Sequence, residues 1–355
     1  MTLNEKFIRI QKVPAQAKIF FIQNLNVMIK AGLPLTVALT TLNEQVKNQK
    51  LKMILSEIQE KIKSGQSFAE SLQPYTKDFG EIFVNMIAAG EASGSLEEVL
   101  NNLYIQQKKE YVLKMKIRNA LTYPVIIVCA MLAIGAFIIA YVMPNITKLF
   151  LELDAELPLP TKILISVSNF FQNNGLIAIP LLILLLMILI KLIRTDKGKT
   201  IWDRLVLKIP IVGEIIKKIN IARLSLNLSN LIETDIAITE CLRITANTLN
   251  NKVYKKAIKE TSEKIKKGSR IADIFKEYPE ILPPILVQML AIGEETGSID
   301  VVLKNLADFY QEEVEQTMEN LPVIIEPLLM ILMGLGVATI ALAVILPIYS
   351  LTQHF

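Results

Sequence analysis

The sequence predicts an all-α membrane protein that consists of two duplicated cytoplasmic helical-bundle domains and three transmembrane helices. Hydrophobic residues make up 52% of the 355 positions, and the mean hydropathy of +0.42 lies above the usual range of soluble proteins. An internal repeat accompanies this apolar composition. No long stretch alternates between apolar and polar residues, so strands are not expected.

The repeat is visible at one turn. Residues 90–100, GEASGSLEEVL, return as residues 293–303, GEETGSIDVVL, at an offset of 203 (293 − 90). The same offset, without a gap, joins Asn24 to Asn227, Leu39 to Leu242, Gly65 to Gly268, Ala69 to Ala272, Met86 to Met289, Pro124 to Pro327 and Pro144 to Pro347. The pattern indicates a duplication of about 130 residues, each copy a polar helical module that ends in a membrane span.

Three apolar windows have the length of a bilayer crossing, which takes about 20 residues. They predict transmembrane helices at residues 119–145, 175–194 and 322–350. Lys191 and Arg194 mark the end of the second window. We expect the segment 146–174 to be a loop between the first two spans, and 351–355 to be a short tail.

The distribution of lysine and arginine predicts the orientation of these spans. Residues 1–120 hold 16 of the 38 basic residues and residues 191–320 hold 20, whereas only Lys148 and Lys162 lie between the first two spans. We therefore expect a cytoplasmic N-terminus, an extracytoplasmic loop and an extracytoplasmic C-terminus. Because sidedness accounts for the net charge of +4, no direct binding of nucleic acid is predicted.

Each module reads as a bundle of five or six short helices. After a short N-terminal segment, 1–15, the first cytoplasmic domain is expected at residues 16–118, where Gly32, Pro34 and Gly65 interrupt the helical periodicity. A linker, 195–218, precedes the second domain at 219–321. Each module is large enough for a core of its own.

The repeated turn has a plain structural interpretation. Gly90 suits the end of a helix, and Gly94 permits a left-handed backbone, as does its counterpart Gly297. Ser95, with Glu98 three residues later, predicts a capping box at the start of the next helix.

That interpretation does not require Glu91 or its counterpart Glu294. The capping box is incomplete in the second copy, where Val301 replaces the glutamate, yet Gly-Glu and Gly-Ser remain. Two interpretations stay open: the turn is purely structural, or the two glutamates contact a partner protein.

Residues at the edges of the spans are the other candidates. Glu326 lies either at the inner membrane interface or where it receives a charged group from a partner, because a charge inside hydrocarbon is costly. Pro327 and its counterpart Pro124 are expected to kink helices that run from module to membrane.

The sequence offers little material for catalysis. His354 is the single histidine, the two cysteines have no partner spacing, and the predicted spans contain no aspartate. The tripeptide GKT at Gly198 lacks the first glycine of a phosphate-binding loop. We expect no enzymatic activity, no metal and no cofactor.

Several further motifs follow one another along the chain: KAGLPL, LTYPVI, ELPLPTKIL, KIPIVGEIIKK and IEPLLMILMGLGVATIALAVILPIY. Together with the two turns they resemble the F-type inner-membrane platform protein of type II secretion systems and type IV pili, from about Gln16 to Leu351. The short segment 1–15 departs from this family, in which many members carry a longer N-terminal extension.

This resemblance implies a non-enzymatic, multi-pass platform in the cytoplasmic (inner) membrane. Such a platform couples a cytoplasmic hexameric ATPase to the insertion or extraction of pilin or pseudopilin subunits. The implied partners are that ATPase, the pilins or pseudopilins, other inner-membrane assembly proteins, the lipid bilayer and further copies of the chain. Secretion, twitching and DNA uptake remain open as the process served.

A small membrane transporter or permease component is the alternative from a different class. It would need polar residues along the spans, and Leu176–Ile190 contains none. Small residues in the first and third spans permit close helix approach, either within one chain or between copies. They are Ala130, Ala133, Gly135, Ala136, Gly334, Gly336, Ala338, Ala341 and Ala343.

Overall fold

The computed structural model describes residues 11–145, 159–233 and 236–352, and these ranges contain helices and turns but no strand. Helices account for about 85% of the described residues. In chain order the α-helices are α1 (Ala15–Lys30), α2 (Leu35–Gln45), α3 (Gln49–Lys63), α4 (Phe68–Leu72), α5 (Thr76–Phe79), α6 (Glu81–Ser93), α7 (Leu96–Phe137), α8 (Leu159–Arg194), α9 (Asp196–Val206), α10 (Val212–Ile232), α11 (Ile238–Thr248), α12 (Lys252–Ile265), α13 (Ile271–Phe275), α14 (Pro284–Thr296) and α15 (Ile299–Thr352).

The chain divides into two compact units. The first combines the residues up to Met115 with Thr200–Glu315, and the second combines Lys116–Lys199 with the residues from Gln316 onward. Both predicted modules therefore belong to the first unit, where their buried apolar side chains form one continuous cluster. This cluster is continuous because helices of the two modules pack on each other.

The duplication seen in the sequence is also a duplication of local structure. Gly65 and its counterpart Gly268 have φ values of +92° and +88°, which only glycine adopts without strain. Asn48 accepts a hydrogen bond from the Leu51 amide (2.9 Å) at the start of α3. Its counterpart Asn251 caps α12 in the same way. We call residues up to 120 repeat 1 and residues 200–323 repeat 2.

Two of the predicted irregular segments are partly helical. The predicted linker, 195–218, contains α9 and the first turns of α10, and Asp196 places a favourable negative charge in the first turn of α9. The predicted loop, 146–174, becomes helical at residue 159, at the start of α8. Within α8, Ser168 Oγ donates to the Ile139 carbonyl at 2.7 Å, so this part of the predicted loop packs on the first span. Residues 146–158 lie outside the described part of the chain.

Two described helical stretches are long and apolar enough to cross a membrane: Leu96–Asn145 and Ile299–Thr339. Their most apolar windows are 0% and 11% buried, so both present apolar side chains to the surroundings. The window at 175–194 forms the second half of α8, and its role as a span stays a prediction. Helix α15 continues to Thr352, and the predicted extracytoplasmic tail, 351–355, stays a prediction.

The repeats differ at a group of three charged residues that α1, α3 and α5 contribute. Lys50 Nζ lies 2.6 Å from Asp78 Oδ1 and also donates to the Gln11 carbonyl at 2.5 Å. Lys18 Nζ donates to the Asp78 carbonyl. Burial lowers the pKa of Lys18, and the nearby Asp78 carboxylate offsets part of that effect. Burying these charges costs free energy that only their mutual contacts offset.

Repeat 2 replaces all three charges with apolar residues. The offset of 203 carries the charged residues to Ile221, Val253 and Ile281, the first and last of which are buried. The same position in the helical bundle is therefore compatible with an ion cluster or with an apolar contact.

This comparison predicts opposite results for one substitution and for three. Asp78→Ala alone leaves two lysines without their carboxylate, and we expect a loss of about 3–5 kcal/mol. Replacing the group with its repeat 2 counterparts, Lys18→Ile with Lys50→Val and Asp78→Ile, should change stability by less than about 1.5 kcal/mol or increase it. Thermal unfolding of the purified protein in detergent, followed by circular dichroism, separates the two cases. A triple variant as unstable as the single one would contradict the prediction.

Candidate interaction site at the duplicated turn

The turn that appears twice in the sequence connects the last short helix of each repeat to a long helix. Helix α6 ends at Gly94, with φ and ψ of 70° and 13°, and α14 ends at Gly297, with 69° and 20°. The left-handed backbone predicted at both glycines is confirmed. A side chain at either position would be strained, because L-residues disfavour this region.

The capping box predicted at Ser95 and Glu98 is wrong, because the Ser95 hydroxyl contacts another side chain. Ser95 Oγ lies 2.7 Å from Ser93 Oγ, across the turn. In repeat 2 the same contact joins Thr296 Oγ1 and Ser298 Oγ at 2.6 Å. The left-handed glycine between them brings the two hydroxyl groups together.

A complete capping box occurs at the start of α4 instead. There the Ser67 hydroxyl accepts a hydrogen bond from the Glu70 amide, and the Glu70 carboxylate accepts one from the Ser67 amide, each at 3.1 Å. This box was not predicted from the sequence, although Ser67 and Glu70 have the same Ser-x-x-Glu spacing.

Glu91 also binds the start of α4, from the end of α6. Its two carboxylate oxygens accept hydrogen bonds from the Phe68 amide (2.8 Å) and the Ala69 amide (2.9 Å). The first amides of a helix have no intrahelical acceptor, and the helix dipole favours a negative charge there. Glu91 therefore ties the turn to a helix that begins 23 residues earlier.

Glu294 makes the same pair of contacts in repeat 2. Its carboxylate oxygens accept from the Ile271 amide (2.6 Å) and the Ala272 amide (3.0 Å) at the start of α13. The residue before α13 is Arg270, whose side chain makes no capping hydrogen bond, so Glu294 acts there without a Ser67 equivalent. The sequence contained a signal for this role: repeat 2 keeps Gly293-Glu294 although Val301 replaces the glutamate that corresponds to Glu98.

These contacts account for the two glutamates without a partner protein. A direct role of Glu91 or Glu294 in partner binding stays a prediction. The side chain of Glu294 is only 13% exposed, so its carboxylate acts chiefly within the repeat.

From the sequence, Gly90 is expected at the end of a helix, but the structure shows that Gly90 allows two helices to approach closely. It lies inside α6, and a Cβ atom there would be 2.8 Å from Val99 Cγ2 of α7. At Gly293, the equivalent Cβ would be 3.2 Å from Val302 Cγ2 of α15. Glycine is needed because the two helices on either side of the turn approach each other closely.

An open cleft of about 610 Å³ lies beside the turn of repeat 1. Repeat 2 contributes Glu233 and Ile236 to its wall, and Glu233 forms an exposed ion pair with Lys304 at 3.4 Å. The cleft is lined by polar and apolar residues together, a mixture that suits contact with a peptide or protein segment. The residues from repeat 1 are Ala89, Gly90, Ala92, Ser93, Ser95, Glu98, Val99 and Asn102.

The candidates near the membrane belong to the second unit. Helix α7 passes through Pro124, and α15 passes through Pro327, without a break in helical assignment. The kink expected at these prolines stays a prediction. Glu326 is exposed, and none of the cations in the described residues pairs with it, so its partner group also stays a prediction.

Within the described residues, no group of three or more histidine, cysteine, aspartate or glutamate side chains is arranged to hold a metal ion. Of the two free cysteines, Cys129 is exposed and Cys241 is buried. Burial raises the pKa of the Cys241 thiol to about 12, so this group remains protonated at neutral pH.

The fold and the turn define a class: a membrane protein made of two copies of one helical module. The family model described as "Type II secretion system (T2SS), protein F" matches the chain twice, at residues 21–144 and 224–347. The two matches begin 203 residues apart (224 − 21), which is the offset of the repeat. The chain therefore belongs to the type II secretion system protein F family.

Its curated relatives come from both secretion and pilus systems. The chain is 33% identical over 331 residues to the type IV pilus assembly protein PilC of Myxococcus xanthus, covering 93% of this chain and 79% of that protein. It is 34% identical to the protein of the same name from Thermus thermophilus, with 93% and 81% covered. It is 29% identical to the type II secretion system protein F of Vibrio cholerae, with the same coverage.

The hydrogen bonds of the two glutamates predict a measurable loss of stability. Glu91→Gln and Glu294→Gln each replace a charged acceptor of two amides with a neutral group that has one acceptor oxygen. We expect each to cost about 1–3 kcal/mol. The loss should be larger for Glu294→Gln, because Ser67 still caps α4 whereas α13 has no side-chain cap of that kind.

Glu98→Gln is the matched control, since the Glu98 side chain is exposed on the next helix. Its melting temperature should equal that of the parent protein. A Glu91→Gln variant with unchanged melting but defective assembly would instead support the partner-contact interpretation.

Proposed function

We propose that this protein is a non-enzymatic inner-membrane platform of a type IV pilus or type II secretion machine. In this role it couples a cytoplasmic assembly ATPase to the insertion or extraction of pilin or pseudopilin subunits. Membership of the protein F family supports the role, and relatives in both systems bear assembly or secretion names. None of the relatives named above is called a transporter, and nothing in the described residues favours that alternative.

The observation that carries the proposal is the continuity of two helices. Helix α7 begins at the repeat 1 turn and α15 begins at the repeat 2 turn, and each continues into a stretch long enough to cross a bilayer. A continuous helix transmits displacement along its length, because its backbone hydrogen bonds leave few soft torsions. Movement of the helical modules would therefore reach the spans.

The contacts between these two helices permit such movement. In the first unit Lys109 Nζ lies 2.7 Å from Asp308 Oδ1, and in the second unit Lys116 Nζ lies 3.4 Å from Glu319 Oε1. The carboxylate side chains are 52% and 69% exposed. Exposed pairs of this kind contribute about 0–1 kcal/mol each, so breaking them during a working cycle would cost little.

The spans offer the surface that an apolar partner helix requires. Their most apolar windows are hardly buried within the chain, and they are free to contact lipid or the apolar helix of a pilin. We propose that residues 175–194 form a third span between them. Two crossings then separate the repeats, so both modules face the cytoplasm and the ATPase, and the third crossing places the C-terminus outside while the N-terminus is inside.

The proposal is tested by weakening α7 between module and membrane. Arg118 and Asn119 are exposed positions of this helix. Changing both to glycine costs about 1 kcal/mol of helix propensity at each position relative to alanine and should lower filament assembly to a small fraction of the parent level. Filaments sheared from cells and quantified by immunoblot give the measurement.

The double alanine variant at Arg118 and Asn119 is the control and should assemble normally. Both variants should still insert in the membrane and co-purify with the ATPase. Normal assembly by the glycine variant would refute coupling through α7, and labelling of Lys61 and Lys264 from opposite sides of the membrane would refute the proposed topology.

A further inference from the structure

The two repeats pack on each other through different faces. Helix α6 of repeat 1 lies against α10 and α11 of repeat 2. At its start, Glu81 forms an ion pair with Arg243 (3.2 Å) and accepts a hydrogen bond from Asn247 (3.0 Å). From α7, Gln106 Nε2 donates to Asn227 Oδ1 of α10 at 2.7 Å, in a buried contact.

A two-fold arrangement of the repeats would require each of these contacts to occur twice. At the offset of 203, Pro284 corresponds to Glu81 and Thr40 corresponds to Arg243. These two residues cannot form an ion pair. In the same way, Phe309 corresponds to Gln106 and Asn24 corresponds to Asn227. Pro284, Thr40 and Phe309 are exposed, so the reciprocal contacts are not formed within the chain.

The repeats therefore associate head to tail, and one face of each remains unused. A head-to-tail contact does not close on itself unless the rotation completes a ring. We define the rear face as Ile285, Ile292 and Phe309 of repeat 2. We define the front face as Phe20, Val27 and Val37 of repeat 1.

The rear face consists of positions that are covered in repeat 1. Ile285 is 47% exposed, whereas its counterpart Ile82 is 7% exposed. Phe309 is 50% exposed, whereas its counterpart Gln106 is 3% exposed. Since the local structure of the repeats is the same, the packing of repeat 2 on repeat 1 explains the difference.

The front face is apolar where repeat 2 is polar. Phe20, Val27 and Val37 are all more than 40% exposed. Their counterparts, on the side of repeat 2 that packs against repeat 1, are Arg223, Asn230 and Glu240. Phe20 and Val27 lie one turn before and one turn after Asn24 on α1, so they share its side of the helix.

We propose that the rear face of one copy binds the front face of a second copy, in the same relation that repeat 1 and repeat 2 have within the chain. Phe309 would then meet Asn24 and lie between Phe20 and Val27. The front face has apolar residues where repeat 2 has polar ones, and on the rear face Phe309 replaces Gln106. Both faces therefore have the apolar composition of a protein interface core. The result is a ring or an open row of copies.

This inference uses the repeat relation and not the coupling role, so it stands whether or not the proposed function is correct. The two faces lie on the two repeats of one compact unit. We expect a second copy of the chain on the rear face, because the front face of that copy can pack there as repeat 2 packs on repeat 1.

Cysteine cross-linking of the full-length protein in membranes tests the contact. In a Cys129→Ser, Cys241→Ala background, Val27→Cys and Phe309→Cys variants with different tags are expressed together. We expect an oxidised species of twice the chain mass that carries both tags. Neither variant alone should cross-link, because the contact joins unlike faces.

Lys304→Cys is the matched control for Phe309→Cys. It lies on the same helix five residues earlier, about 140° around the axis, and is also exposed. Combined with Val27→Cys it should give no cross-link. A Phe309–Phe309 species, or no species in the Val27 and Phe309 mixture, would overturn the proposal.

A charge on the rear face tests the energetics. Phe309→Asp should raise the concentration for half-maximal self-association at least about tenfold, as measured by light scattering in detergent. Lys304→Asp should leave it unchanged. Both variants should melt like the parent protein, because both positions are exposed. Unchanged self-association of Phe309→Asp, or a parent protein that is monomeric throughout, would contradict the proposal.

Discussion

In each repeat, a carboxylate that accepts hydrogen bonds from two backbone amides connects two helices and stabilises their arrangement. Glu91 binds the first amides of α4, and Glu294 binds those of α13. Each glutamate lies one turn before the glycine at which the chain turns into a long helix. Fixing its side chain therefore fixes where α7 and α15 start, and these are the helices that continue toward the membrane. The close approach permitted by Gly90 and Gly293 completes the arrangement, because it sets the distance between the helices on either side of the turn.

The two repeats keep this arrangement and differ in most other contacts. Repeat 1 buries a charged group around Asp78 where repeat 2 buries Ile221 and Ile281. Repeat 1 covers Ile82 and Gln106 with its neighbour, whereas repeat 2 leaves Ile285 and Phe309 open. Duplication has thus given the chain two similar bodies with different surfaces. The two repeats can therefore present different surfaces to different partners.

The spans complete a division of the chain into a packed part and an apolar part. Buried side chains are concentrated in the unit that contains both modules, while the membrane-crossing windows remain almost uncovered. The uncovered windows have no competing intramolecular contacts, so they are available to lipid and to apolar helices. This division fits a membrane protein of the type II secretion system protein F family.

The sequence by itself determined the features that depend on near neighbours or on self-comparison. The helices, the left-handed glycines at Gly94 and Gly297, two helices long and apolar enough to cross a membrane, the repeat offset and the family all follow from such patterns. Propensity and period act over a few residues, and a duplication is visible without any structure. The tertiary structure alone decided what depends on residues distant in sequence. It placed Glu91 at amides 23 residues away, joined the buried side chains of both modules in one cluster, and packed the repeats through unlike faces. Each of these outcomes depends on which surfaces meet in three dimensions, and the chain order does not specify that.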